Sequence, residues 1–454
     1  MAEPEVQPGV QQGGTPGPLA VARPPWWRSI GPALITACVV FGPGSLVISS
    51  NVGAKYGYEL LWLLAMTGVL MGTFMTMSAR IGVVGGGSLC TLIASRLGRL
   101  AAAILGINLC LICAAFQFSN NVAVALAFES FGVQRLLGGE NLSPQTAAWI
   151  NTGLLAGFNA LVVVSIFVLR QVYKGLERIM KVMVAVVLVC FLVNLFVVLP
   201  SLLAVLKGLV PGVPESLSLG LPVKDAAGKI DDPMLLIASL LGTTFSVAAA
   251  FFQGNLVREK GWGIEDYRRG IGDSIAGVAI LTGISAMIMI TSATVLRGKQ
   301  ASDIGVLAMQ LRPLLGPATG VLFSVGLLAV AMNPFVINAM IGGTALADGL
   351  GKPARLSDAW PRRLTVLVLL IGMGVAMLVL HSPQRKVEAM IFAQALTVVG
   401  NPLMAAAILW LANRKDIMGS RRNTIALNIV GGLGFLVVLV MAIRVLYRLI
   451  LQLS

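Results

Sequence analysis

Gly42-Pro43-Gly44-Ser45 interrupts the first long apolar stretch of the chain, and no carboxylate stands beside it. A proline flanked by two glycines does not continue a helix in lipid unless the backbone it frees faces protein or water. Discontinuous helices of this kind build ion and substrate sites near the bilayer midplane of secondary transporters. These four residues therefore point to a broken span. The missing carboxylate then bears on what kind of ion such a break would hold.

The rest of the chain supports a membrane setting. Of 454 residues, 57% are hydrophobic and 11% charged, with a mean hydropathy of +0.89. That composition excludes an ordinary soluble domain. Apolar runs long enough to cross a bilayer recur from end to end. Eleven spans are expected, near 30–53, 59–83, 100–131, 145–170, 177–205, 234–259, 271–297, 317–349, 362–381, 387–413 and 423–450. The expected architecture is an all-α integral membrane protein, with one transmembrane domain over 26–454 and a disordered cytoplasmic tail over 1–25. The tail is rich in Pro, Gly and Gln, a composition that cannot bury a core. It has no apolar segment before a small-residue cleavage site and does not read as a signal peptide. Trp26-Trp27 beside Arg28 read as an interfacial anchor.

Net charge +14 could suggest nucleic acid, but its distribution reads as topology. The basic clusters Arg170/Lys174/Arg178/Lys181, Arg258/Lys260/Arg268/Arg269, Lys352/Arg355/Arg362/Arg363 and Arg414/Lys415/Arg421/Arg422 alternate with less basic connections. The positive-inside bias places the N-terminus in the cytoplasm and the C-terminus outside, in a cell inner (plasma) membrane. The partners expected are a small ion and the lipid bilayer, with no nucleic acid, and the chain is expected to be a monomer. Cys110 and Cys113 form a C-x-x-C, yet with no His nearby in an apolar span they read as inert packing. No nucleophile–base pair or metal-ligand cluster suggests an enzyme.

Spans 1–5 and 6–10 read as two inverted halves. Span six carries the small polar run Gly242-Thr243-Thr244-Phe245-Ser246 where span one carries Gly42-Pro43-Gly44-Ser45. Interruptions at corresponding places in two halves are a sequence pointer to a midplane site.

The stretch from Gly42 through Gly53-Ala54-Lys55-Tyr56-Gly57-Tyr58-Glu59-Leu60-Leu61-Trp62 resembles the first span of the Nramp family of metal transporters. In that family an Asp-Pro-Gly-Asn motif is followed by Gly-Ala, Gly-Tyr and Leu-Leu-Trp. Ser78-Ala79-Arg80-Ile81-Gly82, Lys207-Gly208-Leu209-Val210-Pro211, Gln394 and Met418-Gly419 extend the resemblance over nearly all of the chain after the tail. It implies a LeuT-like fold of eleven transmembrane helices, with helices 1 and 6 broken and alternating access.

The departures fall on the positions that carry function in that family. Where the family's Asp and Asn bind metal, this chain has Gly42 and Ser45. Family span six reads Ala-Thr-Val-Met-Pro-His, and the matching residues here are Thr243-Thr244-Phe245-Ser246-Val247-Ala248. Gln253 replaces a second His. The family's paired acids of span three become Gln117 and Asn120, amides that cannot carry a proton away. Of the 19 Asp+Glu and the single His, none reads as deep in the membrane.

A bare divalent cation without fixed negative charge would be costly to desolvate. The expectation is therefore a small inorganic anion such as bicarbonate, held by helix N-termini and hydroxyls. A divalent metal cation, Mg²⁺ or Mn²⁺, is the alternative. The expected substrate-binding residues are Gly42, Pro43, Gly44, Ser45, Thr243, Thr244 and Ser246. Gln117, Asn120, Gln253, Asn333, Asn338 and Gln394 are candidates for a route or a coupling ion. Asn333-Pro334 and Asn401-Pro402 read as further helix irregularities in spans eight and ten. No cofactor or resident metal is expected. Na⁺, not H⁺, is the coupling ion expected of concentrative uptake.

Overall fold

The computed structural model describes residues 41–139, 143–167, 185–186, 188–226, 228–259, 261–299, 303–381 and 386–454. The expected tail, Trp26-Trp27, Cys38, the first part of span one and the cluster Arg170/Lys174/Arg178/Lys181 lie outside these residues. Among the described helices, twelve frame the two breaks, and local signals set their limits. The first, α1 (Pro43–Tyr56), starts on proline at its first position, where the missing N–H costs nothing. Gly57 at φ 63° ends it, in the left-handed region where a side chain would be strained.

Next come α2 (Leu61–Val84), the short α3 (Leu89–Leu97), α4 (Arg99–Ser130) and α5 (Pro144–Phe167). Span six is two helices, α6 (Leu235–Thr244) and α7 (Val247–Glu259). Beyond them lie α8 (Tyr267–Val295), α9 (Thr319–Gly349), α10 (Ala359–Leu380), α11 (Lys386–Asn413) and α12 (Ile425–Leu453). Val223–Lys224 and Ile230–Asp231 pair as a small antiparallel hairpin in the connection before α6.

Among the described residues, nine helices are long and apolar enough to cross a membrane. The number is ten if Leu188–Val198 and Leu202–Gly208, bent by 118°, form one span. The expected count of eleven is not confirmed, since spans one (30–53) and five (177–205) lie partly outside the described residues.

Helix packing divides the molecule. The α1 helix packs on α8 and α6, and α2 packs on α7 and α8, so spans one, two, six and seven form one group. In the other, α4 packs on α9 and α10, and α10 on α5. The α11 helix bridges the two through α4 and α6. Laying spans 1–5 on 6–10 converts the α1–α8 contact into the α2–α7 contact, as an inverted repeat requires.

Polar connections sort by membrane side. Arg96 pairs with Asp416 at 2.8 Å, Arg99 donates to the Asp348 carbonyl at 3.2 Å, and the Leu356 amide donates to Glu259 at 3.1 Å. These contacts gather the connections α2–α4, α7–α8, α9–α10 and α11–α12 at one end of the bundle. At the other end Arg297 meets Glu59, Lys386 meets Glu129, and Arg444 meets Asp232.

Candidate functional site

Both breaks face the middle of the bundle. At the first, Gly42 is extended (φ −118°, ψ −178°) and caps α1, so the amides of Pro43-Gly44-Ser45 occupy the helix's first turn. All four residues are buried, with Ser45 only 2% exposed. The side chain of Gln394 lies across this turn. A Cβ on Gly44 would sit 2.1 Å from its Nε2, so only glycine leaves the amide room. The second break is Phe245-Ser246, where Phe245 leaves the helical region at φ −105°, ψ 59°. The α6 and α11 backbones touch beside it, since a Cβ on Gly242 would meet the Gln394 carbonyl oxygen at 2.3 Å. Gln394 therefore bridges the two breaks, its side chain over one and its backbone against the other.

Hydrogen bonds at Phe245-Ser246 account for the broken ladder. The Phe245 carbonyl accepts from Val247 N–H at 3.0 Å and from Asn401 Nδ2 at 3.3 Å. The Ala249 amide, which a continuous helix would direct to Phe245, donates instead to Ser246 Oγ at 3.4 Å. Ser246 thus acts as the N-cap of α7. The Phe245 ring is fully buried against Phe74 of α2, centroids 5.5 Å apart, so it anchors the break and does not line a cavity. The Leu241 carbonyl accepts from Phe245 N–H. The carbonyls of Gly242, Thr243 and Thr244 end the helix without helical partners.

The hydroxyls of Thr243 and Thr244 do not point outward as donors. Thr243 Oγ1 bonds back to the carbonyls of Leu240 (3.0 Å) and Ser239 (3.2 Å). Thr244 Oγ1 bonds back to Leu240 at 2.6 Å and lies 3.2 Å from Thr67 Oγ1. Back-bonding uses the hydroxyl proton, so these groups do not donate to an anion, while their oxygen lone pairs stay available to a cation.

Gln117 and Asn120 face each other, Asn120 Nδ2 donating to Gln117 Oε1 at 3.0 Å. Asn121 continues the network to Asn159 of α5, whose Nδ2 donates to Asn121 Oδ1 at 2.7 Å. Asn120 also reaches the first break, its Oδ1 3.6 Å from where a Gly42 Cβ would stand. Asn338 shares a cavity of about 10 Å³, room for about one water, with Ser246 and Cys113. Gln253 is buried in α7, seven residues beyond Ser246 and so about 10 Å along the helix from the break.

Asn333 is on α9, and its side chain lies outside the described residues. The irregularities expected at Asn333-Pro334 and Asn401-Pro402 do not break their helices: α9 and α11 run through both prolines. Proline is tolerated in a spanning helix where neighbours cover the backbone it frees. The Pro334 ring packs at the Gly42 position, its Cγ 3.3 Å from a Cβ built there.

Sequence reading missed the role of Asn401. Its only signal was an asparagine before a proline in an apolar span. Gln394 Oε1 and Asn401 Oδ1 are both buried carbonyl oxygens that accept no hydrogen bond among the described residues. No group of three His, Cys, Asp or Glu side chains that could hold a metal occurs among the described residues. The buried acids sit at helix ends: Asp348 in the last turn of α9, bonded to Ser88 at 2.7 Å, and Asp232 on Arg444 at 2.9 Å.

A buried helix start at Gly42-Pro43 and a span interrupted at Phe245-Ser246, tied together through Gln394, fit a transporter of LeuT-like fold. The model of natural resistance-associated macrophage protein-like sequences matches residues 33–448, and the chain belongs to this Nramp family. It is 26% identical over 444 residues to the divalent metal cation transporter MntH of Deinococcus radiodurans, covering 94% of this chain and 91% of that protein. It is 23% identical to the Bacillus subtilis protein of that name, covering 92% and 90%. Among solved structures, the Eremococcus coleocola manganese transporter superposes with a TM-score of 0.71 at 20% identity, covering 94% of this chain and 88% of its own. MHP1, a nucleobase-cation-symport-1 family transporter, superposes with a TM-score of 0.53 at 15% identity, covering 94% and 90%.

The MntH relatives and the Eremococcus coleocola structure overturn the expectation of a bicarbonate-like anion, because they are named for divalent metal cations or manganese. The physical error lies in counting one pole of each break. A broken helix exposes N–H groups on one side and carbonyls on the other, and carbonyl ends hold cations. Here the carbonyl end of α6 stands at the second break and the Gln394 side-chain amide lies across the start of α1, while the threonine hydroxyls expected to donate bond to their own helix.

Proposed function

We propose that this chain carries a divalent metal cation, Mg²⁺ or Mn²⁺, across the membrane, bound with part of its water shell retained. The carrying observation is a set of neutral oxygens: the Gly242, Thr243 and Thr244 carbonyls at the second break, and Gln394 Oε1, buried and unpartnered among the described residues, on the side chain that lies across Gly44. The family and its divalent-metal relatives support the same reading.

Magnitudes favour a partly hydrated ion. A helix C-terminus with about half a negative charge, 4 Å from a divalent cation, contributes about 4 kcal/mol at an effective dielectric of 20. A carboxylate at that distance would contribute about 8 kcal/mol. The N-terminal ends of α1 and α7 oppose the ion. Retained water screens them and avoids most of the desolvation cost, and neutral oxygens suit ions that keep their water. Ser45 and Ser246 line this polar zone, and Asn120 and Asn338 border it. The clustering of Arg258, Arg355, Arg362, Arg414 and Lys415 with the connections at one end supports a cytoplasmic placement of that end in a bacterial inner membrane.

Proteoliposomes holding a Mn²⁺- or Mg²⁺-sensitive dye test the proposal. Uptake of either ion above that of empty vesicles is expected. Folded, correctly inserted protein that moves neither ion overturns it.

A further inference from the structure

We propose that Asn401 is the positioning residue that holds span six broken, doing by hydrogen bonding what a proline does covalently. Val247 occupies the first position of α7 and has an N–H, so nothing in its covalent structure forbids a helix running from α6 into α7. Continuity would need the Phe245 carbonyl to accept from the Ala249 amide. Asn401 Nδ2 takes that carbonyl from the side at 3.3 Å, while Ser246 Oγ takes the Ala249 amide. Asn401 is 1% exposed, and its position on α11 is fixed from both directions. Gly400 is packed under Asn108 and Ile112 of α4, and Gln394 is packed against Gly242 and Gly44. The donor therefore reaches the break from a helix outside the span it shapes. Leaving the carbonyls of Gly242, Thr243 and Thr244 free depends on that donor.

The inference rests on the cation reading only for its transport readout. Hydrogen exchange over residues 243–250 tracks the break whatever the cargo. Asn401→Ala is expected to lower Mn²⁺ or Mg²⁺ uptake about tenfold, since the buried Phe245 carbonyl loses the side-chain donor that keeps it from the Ala249 amide. It should also raise protection of the 246–249 amides as the ladder closes. Asn401→Asp keeps the shape but removes the donor, and should behave like alanine; a tighter KM instead would mark Asn401 as an ion ligand and overturn the assignment. The deciding arm adds Val247→Pro to Asn401→Ala. Proline at that position suits the first turn of α7 and blocks continuity, so the wild-type exchange pattern should return, with uptake recovering in part because the Phe245 carbonyl then loses the Val247 amide as well. A folded double variant that recovers neither, or an Asn401→Ala protein with unchanged exchange over 243–250, overturns the proposal. If the wild-type chain moves no divalent cation, the cation reading falls and the exchange arm still decides the role of Asn401.

Discussion

The two helix breaks reach similar geometry by different means. At Gly42-Pro43-Gly44-Ser45 the interruption is local: proline supplies a fixed φ and no amide, and the residue before it is extended. At Phe245-Ser246 no proline is present, and the break is held by a cap, by Asn401 from another helix and by a phenylalanine ring buried against Phe74. A break written into one segment survives changes elsewhere. A break held by neighbours is exposed to mutation in those neighbours.

The largest effect should come from separating the helices that hold the second break. Gly242→Ala places a methyl 2.3 Å from the Gln394 backbone oxygen, which cannot move without shifting α11. Overpacking of this kind costs about 1–3 kcal/mol or more, and the variant should lose transport and melt earlier in detergent. An unchanged melting curve would show that α6 and α11 can part without cost. Next in size is a change at the first break, where Gly42→Asp with Ser45→Asn restores the residue types of the family motif. A carboxylate beside Asn120 should tighten Mn²⁺ binding by at least about tenfold, read by calorimetry. Equal affinity in the pair and the wild type would place the ion away from α1.

The smallest effects compare the two helix starts directly. Ser246→Ala removes an N-cap worth about 1 kcal/mol. Pro43→Ala gives up a preorganised first turn worth about 0.4–1 kcal/mol, acting chiefly through the unfolded chain. Hydrogen exchange near 247–250 should therefore change about fivefold in the first variant, and less near 43–46 in the second. The reverse order would mean that α1 depends on its neighbours more than α7 does.

Much of this was legible in the residues themselves. Gly42-Pro43-Gly44 announces a break because proline and glycine restrict or free the backbone whatever surrounds them. Apolar runs announce spans because lipid admits few alternatives, and the five-residue polar run Gly242–Ser246 in span six contains the second break at its end. Pro334 and Pro402 misled for the complementary reason: whether a proline breaks a helix depends on what covers the carbonyl it frees. The threonine hydroxyls read as outward donors, and their rotamers turn the protons back onto their own helix.

The class of fold, the break in span one and the absence of a carboxylate from it were therefore settled by sequence, since they depend on covalent chemistry and on solvent. Which oxygens stay free, that Gln394 ties one break to the other, and that Asn401 holds the second open were decided only by tertiary packing. Those contacts join residues far apart in the chain, some by more than 150 positions. No local pattern of side chains encodes the direction in which a buried amide points.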